Sequence, residues 1–248
     1  MSNSTADLQD LVKSKKSLLI AFGCGSQLAE KVLPGIQAFN SYVLISSKPG
    51  ELEIDGTAQK FSVFEDLSVE SLDGILERCE LPRRSELSEI VIISFTGVAD
   101  EQIFCNLSSH EIDRIIDINL KSNIYLTSVV LKRYGVGVTS FIFLSSTRAL
   151  LGDRGITMYS ATKHALNGFV KGIALEYGRF GVSANVLSLG VLPVGLINKV
   201  PKKRIDDMVK RSANRKMVGI DSVIKSLDFL RHTRDVNGTI FNCDGGYF

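Results

Sequence analysis

Short apolar runs that alternate with amphipathic helical patterns constrain this 248-residue chain more than any other feature of its sequence. The runs are bounded mostly by glycine, serine or polar residues and occupy 17–22, 42–45, 89–95, 140–144, 184–189 and 238–242. Strands that are apolar almost throughout are typical of a parallel sheet covered on both faces, because neither face meets water. We therefore predict an α/β fold, a single-domain, doubly wound parallel sheet of Rossmann-like type with helices on both faces.

Composition narrows the domain plan and the class of partner. With 44% hydrophobic residues, the chain can form one large core, predicted over 17–248 after a polar tail at 1–16. A net charge of +2 gives no overall attraction to nucleic acid or to a membrane surface. The four cysteines and three histidines are dispersed, which argues against disulfides and against a metal site. No apolar run reaches the length of a membrane span, so we expect a cytoplasmic protein.

Tyr159 and Lys163 lie four residues apart in a helical pattern, so their side chains should share one helix face. Ser145 and Ser146 fall where the preceding strand ends, at the sheet edge that binds ligands. A free tyrosine has a pKa of about 10, and one ammonium at about 4 Å supplies roughly the 4 kcal/mol that lowers this pKa by ~3 units. Alone, the spacing is more typical of a solvated lysine beside a half-buried tyrosine.

The wider stretch resembles the short-chain dehydrogenase/reductase family. The family pattern S-S-x-x-x-x-x-G-x-x-G-x-x-x-Y-x-A-x-K is met as S-S-T-R-A-L-L-G-D-R-G-I-T-M-Y-S-A-T-K. The resemblance runs from about Leu18 to Gly246 and is closest in pattern to 3-oxoacyl-carrier-protein reductases. It implies that Tyr159 protonates a carbonyl oxygen, that Ser146 bonds the developing oxyanion, and that Lys163 lowers the tyrosine pKa and holds the nicotinamide ribose. Asn119 would keep a helix and a proton-relay water in place, although a helix-packing asparagine is the alternative.

A glycine-bearing turn follows the first strand, where the family has T-G-x-x-x-G-x-G to admit a pyrophosphate. Aligned on Gly23, the chain has Gln27 and Ala29 in place of the second and third glycines, with Gly25 displaced. Val194 replaces a threonine that in the family bonds the cofactor near its nicotinamide half. By resemblance, the dinucleotide contacts are Gly23, Gly25, Ser26, Gln27, Leu28, Gly97, Tyr159, Lys163, Gly190 and Leu192.

The end of the second strand bears on the choice of cofactor. Ser47 stands where an acidic residue would bind the ribose of NAD, and Lys48 could meet a 2′-phosphate. NADP(H) is therefore favoured over NAD(H), with a surface lysine on a loop as the alternative. Asp66 resembles the family's acidic residue near the adenine, or it only caps the helix that starts near Ser68. Pro49-Gly50 and Asp55-Gly56 predict turns, and no clear helix, between these positions.

Two further segments suggest partners. A capping box at 108–111 opens a helix with an apolar stripe formed by Ile112, Ile115, Ile116, Ile118, Ile124 and Leu126. By resemblance, helices of this kind pair subunits, so a homo-oligomer, either a dimer or a tetramer, is expected. Residues 199–216, within a substrate lobe at about 192–216, carry eight Lys/Arg against two Asp. This charge would attract an acyl carrier protein or a coenzyme A phosphate, unless it is only a solvated helix face.

Two classes of function remain open at this point. The first is an NADP(H)-dependent oxidoreductase that reduces a ketone, such as a 3-oxoacyl thioester, to an alcohol, or a related dehydrogenase that uses NAD. The second is a family member with impaired cofactor binding that serves as a scaffold or assembly partner. Gln27, Leu189 and Val194 favour the second, and the complete set of Asn119, Ser146, Tyr159 and Lys163 favours the first.

Overall fold

The computed structural model describes residues 15–99, 101–135 and 137–247. Its eight strands are β1 (Lys16–Phe22), β2 (Ser41–Ser46), β3 (Glu51–Ile54), β4 (Thr57–Val63), β5 (Leu87–Ser94), β6 (Thr139–Ser146), β7 (Val182–Leu189) and β8 (Ile240–Cys243). They form one sheet in the order β3-β4-β2-β1-β5-β6-β7-β8. All neighbouring pairs are parallel except β3 and β4.

The helices separate the parallel strands. They are α1 (Gln27–Val32), α2 (Val69–Arg78), α3 (Ser109–Ile116), α4 (Ser122–Tyr134), α5 (Thr147–Leu151), α6 (Thr157–Tyr177), α7 (Lys202–Lys210) and α8 (Ile220–His232). A π-helical segment, Asp117–Lys121, joins α3 to α4, and a short 3₁₀ helix, Gly195–Lys199, precedes α7. No helix within the described ranges is both long and apolar enough to cross a bilayer.

Two buried clusters, one on each face of the sheet, hold the layers together. Side chains of α2, α4 and α6 pack on one face, around residues such as Phe141 and Phe143. Side chains of α1 and α8 pack on the other, around residues such as Leu19 and Ile93. The central strands are buried on both sides, which explains their continuous apolar sequences. The predicted doubly wound α/β sheet with helices on both faces is thus confirmed.

An antiparallel edge strand is the main departure from the predicted sheet. Asp55 and Gly56 both have positive φ angles, 51° and 71°, which suits the two-residue turn of a tight hairpin. This turn pairs Ile54 with Thr57 and lets β3 run back along β4. A strand therefore stands at the sheet edge in the interval where the sequence indicated only turns.

Smaller differences concern element boundaries. The six predicted strands are all present, with ends shifted by one or two residues. Lys16, assigned to the tail, begins β1, and residues 1–14 lie outside the described part of the chain. The capping box at Ser108 and Glu111 is confirmed. Within the predicted apolar stripe, Ile115 and Leu126 are buried and the other four members are only half-buried.

Candidate active site

A cavity of about 480 Å³ opens at the carboxyl ends of β1, β5, β6 and β7. Parallel α/β sheets bind ligands at this edge, since the strand-to-helix turns meet there. Its walls are mostly apolar and include Phe95, Leu144, Ile156 and Val191. Polar and charged side chains also line the cavity, and their positions bear on what can bind.

Ser146 and Tyr159 stand together on one wall of this cavity. Ser146 is the last residue of β6, and Tyr159 lies in the first turn of α6. Burial raises the pKa of Tyr159 to about 12, and the hydrogen bond with Ser146 and the charge of Arg148 only partly oppose this rise. The phenol therefore holds its proton at neutral pH.

Lys163 follows one turn later on α6 and is 2% exposed. Its ammonium nitrogen lies 5.8 Å from the centre of the Tyr159 ring and donates to the carbonyl oxygens of Thr96 and Leu144, both at 2.8 Å. Burial lowers the pKa of Lys163 to about 7. A half-neutral amine stabilises a phenolate poorly, and the lowered pKa expected for Tyr159 is not found in this structure.

Arg148 is a charged wall residue that the sequence reading did not single out. Its side chain is 13% exposed and donates from Nη1 to Glu101 at 2.8 Å and from Nε to Asp153. Burial lowers the pKa of Arg148, but the hydrogen bonds to these two carboxylates more than offset it, so the pKa is raised overall. Arg148 thus stays charged on the same wall as Tyr159. Its position in the sequence, two residues after the strand-end Ser146, could have indicated that Arg148 lies near the site.

Asn119 lies behind the cavity, completely buried in the π-helical segment. Its amide accepts from the backbone of Val98 at 2.8 Å and donates to the Val98 carbonyl at 2.9 Å and to Thr162 Oγ1 at 3.1 Å. These bonds join α6 to the loop after β5. Segments of π-helix are frequent at functional sites, because they re-aim one side chain out of the regular turn.

The glycine-bearing turn is shaped by close contacts within the protein. Gly23 has φ +80°, and its N–H and that of Cys24 both donate to Ile45 O. A Cβ on Gly25 would lie 2.8 Å from Ser46 Oγ, so the displaced glycine packs the turn onto the end of β2. Ser26 caps α1 by accepting from Ala29 N at 3.2 Å.

Gln27 reaches from this turn to the opposite wall. Its Oε1 accepts from Gly195 N at 3.0 Å and from Asn198 Nδ2 at 2.6 Å. Both donors lie in the predicted lobe, so the residue that replaces a family glycine joins two walls of the cavity.

Nine of the predicted site residues share the cavity wall: Ser26, Gln27, Leu28, Gly97, Ser146, Tyr159, Lys163, Gly190 and Leu192. Gly190 also has a packing reason, because a Cβ there would lie 2.8 Å from Asp244 Cα. Gly23 and Gly25 lie in the turn behind Ser26, and Ser47, Lys48 and Asp66 lie away from the cavity. Asp66 accepts from the hydroxyl of Ser68, which is itself the cap of α2, so Asp66 is not the cap.

A family model described as enoyl-(acyl carrier protein) reductase matches residues 89–248. The chain belongs to the short-chain dehydrogenase/reductase family. It is accordingly an oxidoreductase of the NAD(P)-dependent class. The match covers the Asn119, Ser146, Tyr159 and Lys163 positions and ends beyond β8.

Curated relatives and a solved structure agree with this assignment. The 3-oxoacyl-(acyl-carrier-protein) reductase of Buchnera aphidicola subsp. Schizaphis graminum is 29% identical over 74% of this chain and 80% of its own length. The human (3R)-3-hydroxyacyl-CoA dehydrogenase is 25% identical over 64% of this chain and 62% of its own. The ligand-free aldohexose dehydrogenase of Thermoplasma acidophilum shares the fold, with a TM-score of 0.76 at 19% identity and 95% coverage of both chains.

The cavity fits the nicotinamide half of a dinucleotide. A Cβ on Gly97 would lie 3.4 Å from Lys163 Nζ, so this glycine stands directly beside the ammonium. In its ammonium form Lys163 has three N–H groups and uses two on backbone carbonyls, which leaves one for a ribose hydroxyl. Beside the glycine-bearing turn, where the pyrophosphate would lie, the Gln27 side chain crosses the cavity to Gly195 and Asn198 and leaves less space.

Proposed function

We propose that this protein reduces the ketone of a 3-oxoacyl thioester, or of a related intermediate, to an alcohol with NADPH. The observation that carries the proposal is the pair of hydroxyls, Ser146 and Tyr159, on the wall of a mainly apolar cavity beside Lys163. Two hydroxyl groups at one point can bind a single carbonyl oxygen, while apolar walls accept an acyl chain.

The proposed roles follow from the protonation states. A bound reduced nicotinamide supplies hydride to the carbonyl carbon. Tyr159 keeps its proton at neutral pH and donates it to the carbonyl oxygen, as a general acid must. Ser146 donates a hydrogen bond to the same oxygen as negative charge develops there. Lys163 holds the ribose with its remaining N–H, and Asn119 fixes α6 against the loop after β5.

The preference for NADP(H) rests on the end of β2. Ser47 and Lys48 follow this strand and are exposed, and no carboxylate stands at either position. An exposed ammonium suits a 2′-phosphate, whereas a ribose hydroxyl is better bound by a carboxylate. Gly23, Gly25, Ser26 and Leu28 would border the pyrophosphate, and Asp66 the adenine.

An acyl carrier protein or coenzyme A is the proposed carrier of the substrate. Relatives named for both carriers match this chain. In the lobe, α7 carries the exposed side chains of Lys202, Lys203 and Lys210, which could meet an acidic carrier or a phosphate. The half-buried isoleucines of α3 and α4 support pairing of subunits as a dimer or tetramer.

Fluorescence titration with NADPH and with NADH, followed by turnover of acetoacetyl-coenzyme A, tests the proposal. We expect tighter binding of NADPH and consumption of the thioester, and Lys48→Glu should reverse the preference. Tighter binding of NADH would instead favour an NAD-dependent dehydrogenase. If neither dinucleotide binds at millimolar concentration, the reductase proposal is wrong and the scaffold alternative replaces it.

A further inference from the structure

Gln27 makes the contact that the proposed reaction does not explain. It is the first residue of α1, and both of its hydrogen-bond donors lie in Gly195–Lys199, more than 160 residues later. One carboxamide oxygen therefore connects the dinucleotide turn to the lobe. Gln27 and Asn198 are exposed, so the connection stands at the surface of the cavity and not within the core.

The two donors are arranged as they would be around an anion. A backbone N–H and a side-chain amide converge on one oxygen, at 3.0 and 2.6 Å. Gly195 has φ +84°, a conformation that favours glycine, and its N–H is thereby directed to Gln27. Phosphate oxygens accept from backbone and side-chain N–H groups of this kind.

Three N–H groups of the turn are already used within the protein. Gly23 and Cys24 donate to Ile45 O, and Ser26 donates to Gly23 O. A phosphate oxygen at this turn can meet the N–H groups of Gly25, Gln27 and Leu28, and it gains further donors only from the facing wall. On that wall, the N–H of Gly195 and the side-chain amide of Asn198 are suitable donors, and Gln27 already uses both.

We propose that Gln27 is a stand-in acceptor that holds the lobe closed, and that a phosphate oxygen of the dinucleotide takes over its two donors on binding. The lobe thus stays ordered in both states, and Gln27 sets how readily the cofactor enters. The closing contact concerns the protein alone, whereas the exchange of acceptors rests on the proposed function.

Hydrogen exchange at the Gly195 amide, without dinucleotide, tests the closing contact. Gln27→Met has a side chain of similar length without a strong acceptor, and Gln27→Glu keeps an acceptor oxygen. We expect the Gly195 amide to exchange about 5- to 10-fold faster in Q27M, the effect of losing surface hydrogen bonds, and at nearly the wild-type rate in Q27E. Gln37→Met, an exposed glutamine outside the lobe, is the control. Equal exchange in wild type and Q27M would overturn the contact.

NADPH binding tests the exchange of acceptors. Q27M should bind NADPH about fivefold more tightly than wild type, because no contact has to break first. Q27E should bind it more weakly, since a carboxylate keeps both donors and repels phosphate. With NADPH present, the Gly195 amide should be equally protected in wild type and Q27M. Weaker binding by Q27M would show that Gln27 is itself a cofactor ligand and would refute the stand-in role. If no variant binds NADPH, the exchange of acceptors and the reductase proposal are both refuted. Hydrogen exchange of the free protein would still decide whether Gln27 makes the closing contact.

Discussion

Lys163 lies one helical turn from Tyr159, with its ammonium 5.8 Å from the centre of the phenol ring. This ammonium donates two hydrogen bonds, to the carbonyl oxygens of Thr96 and Leu144. Because burial lowers the pKa of Lys163 and raises that of Tyr159, the pair at neutral pH is a partly neutral amine beside a protonated phenol. The phenol thus keeps its proton at neutral pH, as the proposed donor to a carbonyl oxygen must, but burial makes it a weaker acid than a free tyrosine.

Tyr159→Phe should lower kcat for NADPH-dependent reduction by about 100- to 10,000-fold, because it removes the general acid. The fold should persist, since the ring that packs in the wall is kept. Turnover of acetoacetyl-coenzyme A, followed by loss of NADPH absorbance, measures the effect. Tyr177→Phe, at the end of the same helix, is the matched control and should keep wild-type activity. Undiminished turnover in Y159F would contradict the assignment.

The Tyr159 phenol should stay protonated up to at least about pH 10.5, since its pKa lies near 12. The chain has no tryptophan, so tyrosinate absorbance is easily read. We expect the alkaline difference titration of wild type and Y159F to coincide below that pH. A wild-type phenolate that appears near pH 7 would instead support the lowered pKa expected from the sequence.

Lys163 should make folding stability rise with pH. Its proton is bound more weakly in the folded state, with a pKa of about 7, than at its ordinary value of 10.5. The unfolded state thus binds more protons between these values, and the free energy of unfolding increases by up to about 1.4 kcal/mol per pH unit.

Urea unfolding of wild type and Lys163→Met between about pH 7.5 and 9.5 measures this contribution, because other groups cancel in the difference. The wild type should gain stability relative to K163M as the pH rises. Lys171→Met, an exposed lysine on the same helix, should give a difference that does not change with pH. A constant difference for K163M would show that Lys163 is not held with a lowered pKa.

Arg231 should contribute far more to stability than an exposed lysine of the same helix. Its side chain is 6% exposed, bonds both oxygens of Glu89, and lies over the Phe39 ring at 3.9 Å. Arg231→Met leaves the half-buried Glu89 without its partner and should cost about 3 kcal/mol in urea unfolding, the low end for buried pairs. Lys225→Met breaks an exposed pair with Asp221 and should cost less than about 1 kcal/mol. Similar losses in the two variants would contradict this reasoning.

The sequence by itself determined the sheet, the helices that cover it and the edge at which ligands bind. Those features follow from local patterns: continuous apolar runs for buried strands, and a four-residue spacing that puts Tyr159 and Lys163 on one helix face. The strand-end position of Ser146 could be read in the same way, because a parallel sheet brings its carboxyl ends to one edge. The hairpin of β3 escaped this reading, since a short exposed edge strand needs no apolar run.

Only the tertiary structure decided what surrounds these groups. The pairing of Arg148 with Glu101, and the bond from Gln27 to Gly195, join residues far apart in the chain, and no local pattern specifies them. The directions of the two pKa shifts were also beyond the sequence. Spacing places a cation near a phenol, but the pKa of each depends on how much water and which polar groups the folded chain leaves around it.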